Sequence, residues 1–160
     1  MSDVIITIPE EHQPVYIAGP MTWIPHFNFP AFDAMALSLR QFGIDVVSPA
    51  ELDNPEIRAA ALASPDGAPG SSGADTWGDF LSRDVKLVAD GVGSVAVMIG
   101  WEKSRGARLE AFVATLCKKP VYDLRTFARD DFRSRDVKIV GMKIIPPDVI
   151  VQALLHSIEP

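Results

Sequence analysis

A short apolar run, Val15-Tyr16-Ile17-Ala18, ends abruptly in Gly19-Pro20, and a β-rich run, Ile44-Asp45-Val46-Val47, follows further along the chain. Between them Phe32, Met35, Ala36, Leu39 and Phe42 recur at spacings of three and four from Pro30 to Phe42, and Gly43 closes the stretch. The first pattern reads as a buried strand stopped by a turn, the second as a further strand, and the intervening one as an amphipathic helix. Two strands joined by one helix of that length constrain the chain to a βαβ crossover, and hence to a parallel sheet covered on both faces.

The remaining sequence extends the alternation. Thr76 to Asp90 has helical spacing, Gly93 to Ile99 reads as a third strand, Arg105 to Lys118 as a helix with Leu109, Phe112, Val113 and Leu116 on one face, and Val121-Tyr122 as a fourth strand. Pro147 to Ile158 reads as a closing helix begun by Pro-Pro. With 160 residues the chain suffices for one domain spanning 1–160. The expected fold class is a single-domain doubly wound α/β sandwich, flavodoxin- or Rossmann-like. Its mainly parallel sheet has about four to five strands and helices on both faces. Ser48 to Asp75 carries Pro49, Pro55, Pro65 and Pro69, and the stretch from Ser64 to Gly73 is nearly all loop-forming residues. A flexible loop over 64–75 is expected, either an inert insertion or a lid over a site. The charged stretch from Arg125 to Lys138 reads as a solvated loop.

Fifteen Lys and Arg against 21 Asp and Glu give a net charge of −6, the opposite of what a protein gripping polymeric nucleic acid through its phosphates usually carries. The single cysteine, Cys117, cannot form an internal disulfide. His12, His26 and His156 are scattered, so neither a metal site nor a cofactor is expected. No apolar run is long enough to span a bilayer and the N-terminus lacks a basic start, so a cytoplasmic protein without membrane contact is expected.

In a doubly wound sheet, ligands bind beyond the carboxyl ends of the strands. Gly19-Pro20-Met21-Thr22 follows the first strand, and Gly100-Trp101-Glu102-Lys103-Ser104-Arg105-Gly106 follows the third and leads into a helix. A glycine-bearing loop at a helix N-terminus, with a hydroxyl and flanking bases, can cradle an anion or be an ordinary capped turn. On the helix from Thr76 to Asp90, Trp77, Phe80, Leu81, Leu87 and Val88 form an apolar stripe, with Asp79, Arg83, Lys86 and Asp90 opposite. Asp84 falls inside the stripe, where an ionised carboxylate is costly unless it is paired, hydrogen-bonded or beside a cavity. Glu110 lies on the flank of the next helix near the same mouth, or is simply a favourable charge at a helix N-terminus, and Tyr16, at the end of the first strand, either points its hydroxyl at one of the carboxylates or is plain core. Two carboxylates, a phenol and an anion-binding loop suit the breaking of a glycosidic bond through an oxocarbenium-like transition state.

Val15-Tyr16-Ile17-Ala18-Gly19-Pro20-Met21, then Ser82-Arg83-Asp84-Val85, then Ser104-Arg105-Gly106-Ala107-Arg108-Leu109-Glu110 resemble, in order and placement, the nucleoside 2-deoxyribosyltransferase superfamily. The likeness runs from about Val15 to Val121. It is nearest to a branch of small, often phage-encoded members with the patterns found here at Gly19 to Thr22 and Phe27-Asn28-Phe29-Pro30-Ala31-Phe32. The resemblance implies a glutamate nucleophile that forms a covalent glycosyl-enzyme with a 2′-deoxyribosyl group, which water releases or a second base accepts. Glu110 matches that nucleophile, Asp84 the acid that handles a sugar hydroxyl or the departing base, and Tyr16 the tyrosine that orients the nucleophile.

Ser104, six residues before Glu110, matches the serine that holds the 5′-phosphate in the nucleotide N-glycosidases of the superfamily, so a 5′-monophosphate is the favoured substrate. The Ser-x-Arg that follows the first-strand glycine in those hydrolases is replaced here by Pro20-Met21-Thr22. Phosphate recognition then falls to Ser104, Gly106, Lys103, Arg105 and the backbone near Gly19 and Met21. Trp23, Phe27 and Trp101, with Asn28 beside them, are expected at the rim, either stacking on a nucleobase or packing loops or an oligomer contact. The resemblance also implies a homo-oligomer, dimer or higher, and a cytoplasmic site of action, that of the host if the chain is phage-encoded. The expected activity is cleavage of the N-glycosidic bond of a nucleotide or nucleoside, by hydrolysis or transfer. The alternative is a non-catalytic nucleotide-binding protein, a sensor or sponge, on the same fold. A structural or interaction module would leave Asp84 unexplained.

Overall fold

A computed structural model describes residues 8–70, 76–126 and 142–156. In chain order they form β1 (Val15–Ala18), α1 (Phe29–Gln41), β2 (Val46–Val47), α2 (Pro55–Ala63), α3 (Trp77–Lys86), β3 (Ser94–Val97), α4 (Arg105–Leu116), β4 (Val121–Asp123), β5 (Lys143–Ile144) and α5 (Pro147–Leu155). The sheet order is β2-β1-β3-β4-β5, parallel except for β5, which runs antiparallel to β4. This is the expected doubly wound α/β fold.

β1 and β3 are the sheet's centre. Tyr16 pairs in register with Val95 and Ile17 with Ala96, and every residue of both strands is buried. Strand side chains alternate between faces, and the two cores follow that alternation. Val15 and Ile17 pack with Phe32, Ala36 and Leu39 of α1 and with Ala61 of α2. Tyr16 and Ala18 pack with Val88, with Ala107, Ala111 and Ala114 of α4 and with Ile150 of α5. The period of two therefore commits the Tyr16 side chain to the face that carries α4.

Helix ends are set by local chemistry. Thr76 and Asp79 form a reciprocal capping box at the start of α3, and Ser104 Oγ accepts from Ala107 N at the start of α4. After Lys86 the helix widens into a π turn over Leu87–Gly91, and Lys119 Nζ donates to the carbonyls of Val88 and Ala89 there. At the end of α1, Gly43 N donates to Arg40 O and Ile44 N to Leu39 O around a left-handed Gly43 (φ 77°), a Schellman closure.

Several boundaries differ from the sequence reading. The third strand is Ser94–Val97, and Ile99 lies outside it, 63% exposed. The fourth strand extends to Asp123. The sequence pattern does not predict α2, because Pro55 falls in a proline-bearing stretch. Pro55 in fact occupies the first turn, where a missing N–H costs nothing, behind an Asn54 cap. β5 was too short to carry a pattern. Within the charged stretch, Arg125 pairs with Asp123 and Glu102, while residues 127–138 lie outside the described residues. The expected loop over 64–75 is described as far as Gly70. Among the described residues no helix is long and apolar enough to cross a membrane.

Substituting glycines separates backbone cost from packing cost. At Gly43 an added Cβ meets nothing within 4 Å, so Gly43→Ala carries only the left-handed penalty and is expected to lower stability by about 1 kcal/mol. At exposed Gly78, in α3 with an ordinary φ, alanine is expected to raise it by up to about 1 kcal/mol. Urea melts of the two variants check both signs.

Candidate active site

The chain passes to opposite faces of the sheet after β1 and β3, and a cavity of about 410 Å³ opens beyond their carboxyl ends. Its walls come from the segment after β1 (Gly19 to Trp23, Phe27, Phe29), the turn after β2 (Pro49, Asp53), Ala61, Pro69, α3 (Trp77, Phe80, Leu81, Arg83, Asp84) and the start of α4 (Lys103 to Ala107, Glu110). The volume suits a small organic ligand.

Tyr16, Asp84 and Glu110 converge from β1, α3 and α4. The Tyr16 hydroxyl and Glu110 Oε2 are both buried without a hydrogen-bond partner. They lie near enough to perturb each other's titration without the geometry of a formed bond. Burial pushes the Glu110 carboxyl up to about 8, opposed by Tyr16 and Arg83 and reinforced by the negative charge of Asp84. Burial also raises Asp84, with Arg83 and Tyr16 pulling the other way. Tyr16 is raised by burial and by both carboxylates. At neutral pH Glu110 is therefore mostly protonated.

The apolar stripe of α3 serves the cavity more than the core. Trp77 is 51% exposed, Phe80 and Leu81 line the cavity, and Asp84 is the buried residue of that helix. Arg83 does not lie on the solvent side as the helical wheel suggested. Its Nε donates to Asp84 Oδ1 (2.7 Å) and its Nη1 to Asp53 Oδ1 (2.6 Å). Asp53, unplaced by sequence, is thus part of the site, whereas Asp123 is tied to Arg125 and neither it nor exposed Glu56 lines the cavity. Sequence reasoning also missed Phe29, Pro49 and Pro69. The juxtaposition of Arg83 with Asp84 was the one available signal for the ion pair.

Lys103, Ser104, Arg105 and Gly106 line the mouth as expected, with the Arg105 guanidinium stacked on Trp77 4.7 Å from the ring centroid. Ser104 Oγ accepts the helix cap, which leaves its own proton to donate to a ligand. Gly19, Met21, Trp23 and Phe27 also reach the cavity. Trp101 does not. It is 1% exposed and packs with Ala107, Ala111 and Ala114, because the turn after left-handed Gly100 directs its ring into the space those small residues leave. Asn28 does not line it either; its Nδ2 donates to Pro20 O and braces the loop.

That loop is strained. Trp23, His26, Phe27 and Asn28 all have φ between 52° and 64°, a region that bulky side chains rarely occupy. It is held by Trp23 N to Gly67 O and His26 N to Ser64 O, each 2.8 Å, so the turn from Ser64 braces this wall. Gly67 is required there, since a Cβ would lie 2.1 Å from Ile24 O.

Among the described residues no group of three or more His, Cys, Asp or Glu side chains is placed to hold a metal ion. The fold and cavity define a doubly wound α/β protein with a carboxyl-bearing cleft at the β1/β3 switch point. Residues 13–123 match the family described as Domain of unknown function (DUF4406), and the chain belongs to that family. No curated protein and no solved structure matches the chain.

The state of Glu110 leaves a thermodynamic signature. Its proton is held more tightly in the folded chain than in the unfolded one, where a glutamate titrates near 4.3, so stability falls as pH rises between those values and 8. Glu110→Gln removes this penalty. Its melting temperature is expected to equal that of the parent at pH 4 and to exceed it increasingly up to pH 8, by several degrees at roughly 2 to 4 °C per kcal/mol. A gap that is constant across thermal melts from pH 4 to 9 would contradict the buried-proton assignment.

Proposed function

We propose that the chain cleaves the N-glycosidic bond of a 2′-deoxynucleotide, with a 5′-monophosphate favoured, through a covalent glycosyl-enzyme on Glu110. The resemblance of its three motifs to the nucleoside 2-deoxyribosyltransferase superfamily suggests the reaction. The observation that carries the reading is Glu110 itself, a carboxyl in the cavity with one oxygen unpartnered, beside Tyr16 and Asp84.

In the first step an ionised Glu110 oxygen attacks the anomeric carbon as the carbon–nitrogen bond breaks. The bonding pair leaves with the base, which takes a proton from Asp84, whose raised proton affinity suits that role. Tyr16 donates to the Glu110 oxygen that does not attack. In the second step water, or the nitrogen of another base, gives a proton back to the Asp84 carboxylate and displaces Glu110 from the sugar as its carboxylate. Glu110 is mostly protonated at neutral pH, and the positive charge developing on the sugar is what favours its ionised form. The aromatic wall of Trp23, Phe27 and Phe80 supplies apolar area for a base, and Lys103, Ser104 and Arg105 supply charge and donors for a phosphate.

A non-catalytic nucleotide-binding role is the second reading. The protonated Glu110 favours it, since a neutral carboxyl donates a hydrogen bond rather than attacking carbon.

The test is incubation of the protein and Glu110→Ala with 2′-deoxynucleosides and their 5′-monophosphates, with and without an acceptor base, followed by chromatography. Free base from a monophosphate is expected, reduced roughly a thousandfold or more in the variant. The rate is expected to depend on pH through two groups, Glu110 in its ionised form and Asp84 in its protonated form. A new nucleoside formed only with acceptor present would make the chain a transferase. Nucleotide binding without base release would establish the second reading.

A further inference from the structure

Consecutive side chains on a helix point about 100° apart and do not ordinarily meet. Arg83 and Asp84 meet nevertheless, with Nε to Oδ1 at 2.7 Å. The guanidinium folds back because its far end is held from outside the helix. Nη1 donates to Asp53 Oδ1 at 2.6 Å, and the Phe80 ring supports it with its centroid 5.5 Å from Cζ. Asp53 comes from the turn between β2 and α2, a different wall of the cavity, and its side chain is only 6% exposed. Held at one end alone, the long Arg83 side chain, 30% exposed, would be free to turn to solvent.

We propose that Asp53 is a positioning residue for this site: by anchoring Arg83 across the cavity it directs the guanidinium onto one oxygen of Asp84 and leaves the other for the ligand. Asp53 acts through Arg83 and touches no reacting atom. The catalytic consequence rests on the glycosidase reading; the anchoring itself does not.

Two opposite electrostatic effects make this decidable. The charged and titratable groups facing Asp84 are Arg83 on its own helix, Tyr16 from β1, Asp53 from the turn and Glu110 from α4. The negative charge of Asp53 raises the proton affinity of Asp84 directly, and Arg83 lowers it. If Asp53 acted only as a nearby charge, its removal would make Asp84 titrate lower. If it anchors Arg83, its removal frees the guanidinium and Asp84 titrates higher.

The experiment is a carbon NMR titration of side-chain carboxyls in the parent, Asp53→Ala and Arg83→Gln proteins and in the double variant, with Asp84→Asn assigning the signal. Asp84 in Asp53→Ala is expected to titrate about one pH unit above the parent. On the Arg83→Gln background the same substitution is expected to move it down or not at all, the coupling a double-variant cycle isolates. Asp53→Asn, which keeps an acceptor for Arg83, serves should the alanine variant not fold, with a smaller upward movement expected. A downward movement in the single variants, or the same upward one without Arg83, would overturn the proposal. With base release as readout, Asp53→Ala is expected to lower kcat tenfold to a hundredfold with KM changed less. Absence of base release from the parent on every substrate would defeat the glycosidase reading while the titration still decides the anchoring.

Discussion

The parallel pairing of β1 with β3 is the constraint on which the rest of the molecule depends. Tyr16 aligned with Val95 and Ile17 with Ala96 place two fully buried strands side by side. Their connections leave towards opposite faces, and the sheet order makes this pair the point of divergence. Side chains arriving beyond their carboxyl ends from α3, α4 and the loops line the cavity there. The alternation of β1 then does chemical work. It puts Val15 and Ile17 against α1 and sends Tyr16 to the other side, where Asp84 and Glu110 are its neighbours.

Charge is distributed unevenly around this gap. In the interior, three carboxyl groups, Asp53, Asp84 and Glu110, share one guanidinium. Arg83 hydrogen-bonds two of them, Asp53 and Asp84, and for Glu110 burial outweighs the opposing pull of Tyr16 and Arg83, so it keeps its proton. At the mouth the balance reverses, with Lys103 and Arg105 beside the N-terminus of α4. A ligand with an anionic group at one end and hydroxyl or amine donors at the other would meet complementary chemistry at both. This polarity within a single cavity underlies the preference for a phosphorylated sugar over a free one in the proposed reaction.

What could be read from the sequence follows from which signals are local. The crossover from β1 through α1 to β2 was legible because Gly19-Pro20 and Gly43 punctuate patterns with different periods. Asp84 was legible because one polar residue in an apolar stripe demands a reason. The stripe itself was ambiguous: Trp77, Phe80 and Leu81 look the same on a helical wheel whether they face a core or a cavity, and here they face a cavity. Asp53 and Arg83 were not legible as a pair, since they lie on separate elements and only tertiary packing joins them. Trp101 was misplaced for a related reason. A tryptophan in a glycine-led loop suggests exposure, and the alanines of α4 that make room for it speak only once α4 is docked on β3.

Most of the costs among the described residues gather in one place, left-handed Lys118 beyond the far end of α4 apart. Among the described residues, the buried side-chain atoms without a partner belong to Tyr16, Ser48, Trp101, Arg108 and Glu110, all on segments that build or adjoin the cleft. The left-handed residues Trp23, His26, Phe27 and Asn28 lie on the loop that supplies one of its walls, each at a cost on the order of 1 to 3 kcal/mol. Incidental defects would scatter over the fold, whereas strain, an unpartnered phenol and a carboxyl held near 8 coincide here around about 410 Å³. Such local violations persist where the surrounding structure over-determines them, and they concentrate where a ligand completes what the chain leaves unsatisfied. Tyr16 itself does not line the cavity, so its buried hydroxyl acts on the cleft through the two carboxyl groups that do, Asp84 and Glu110.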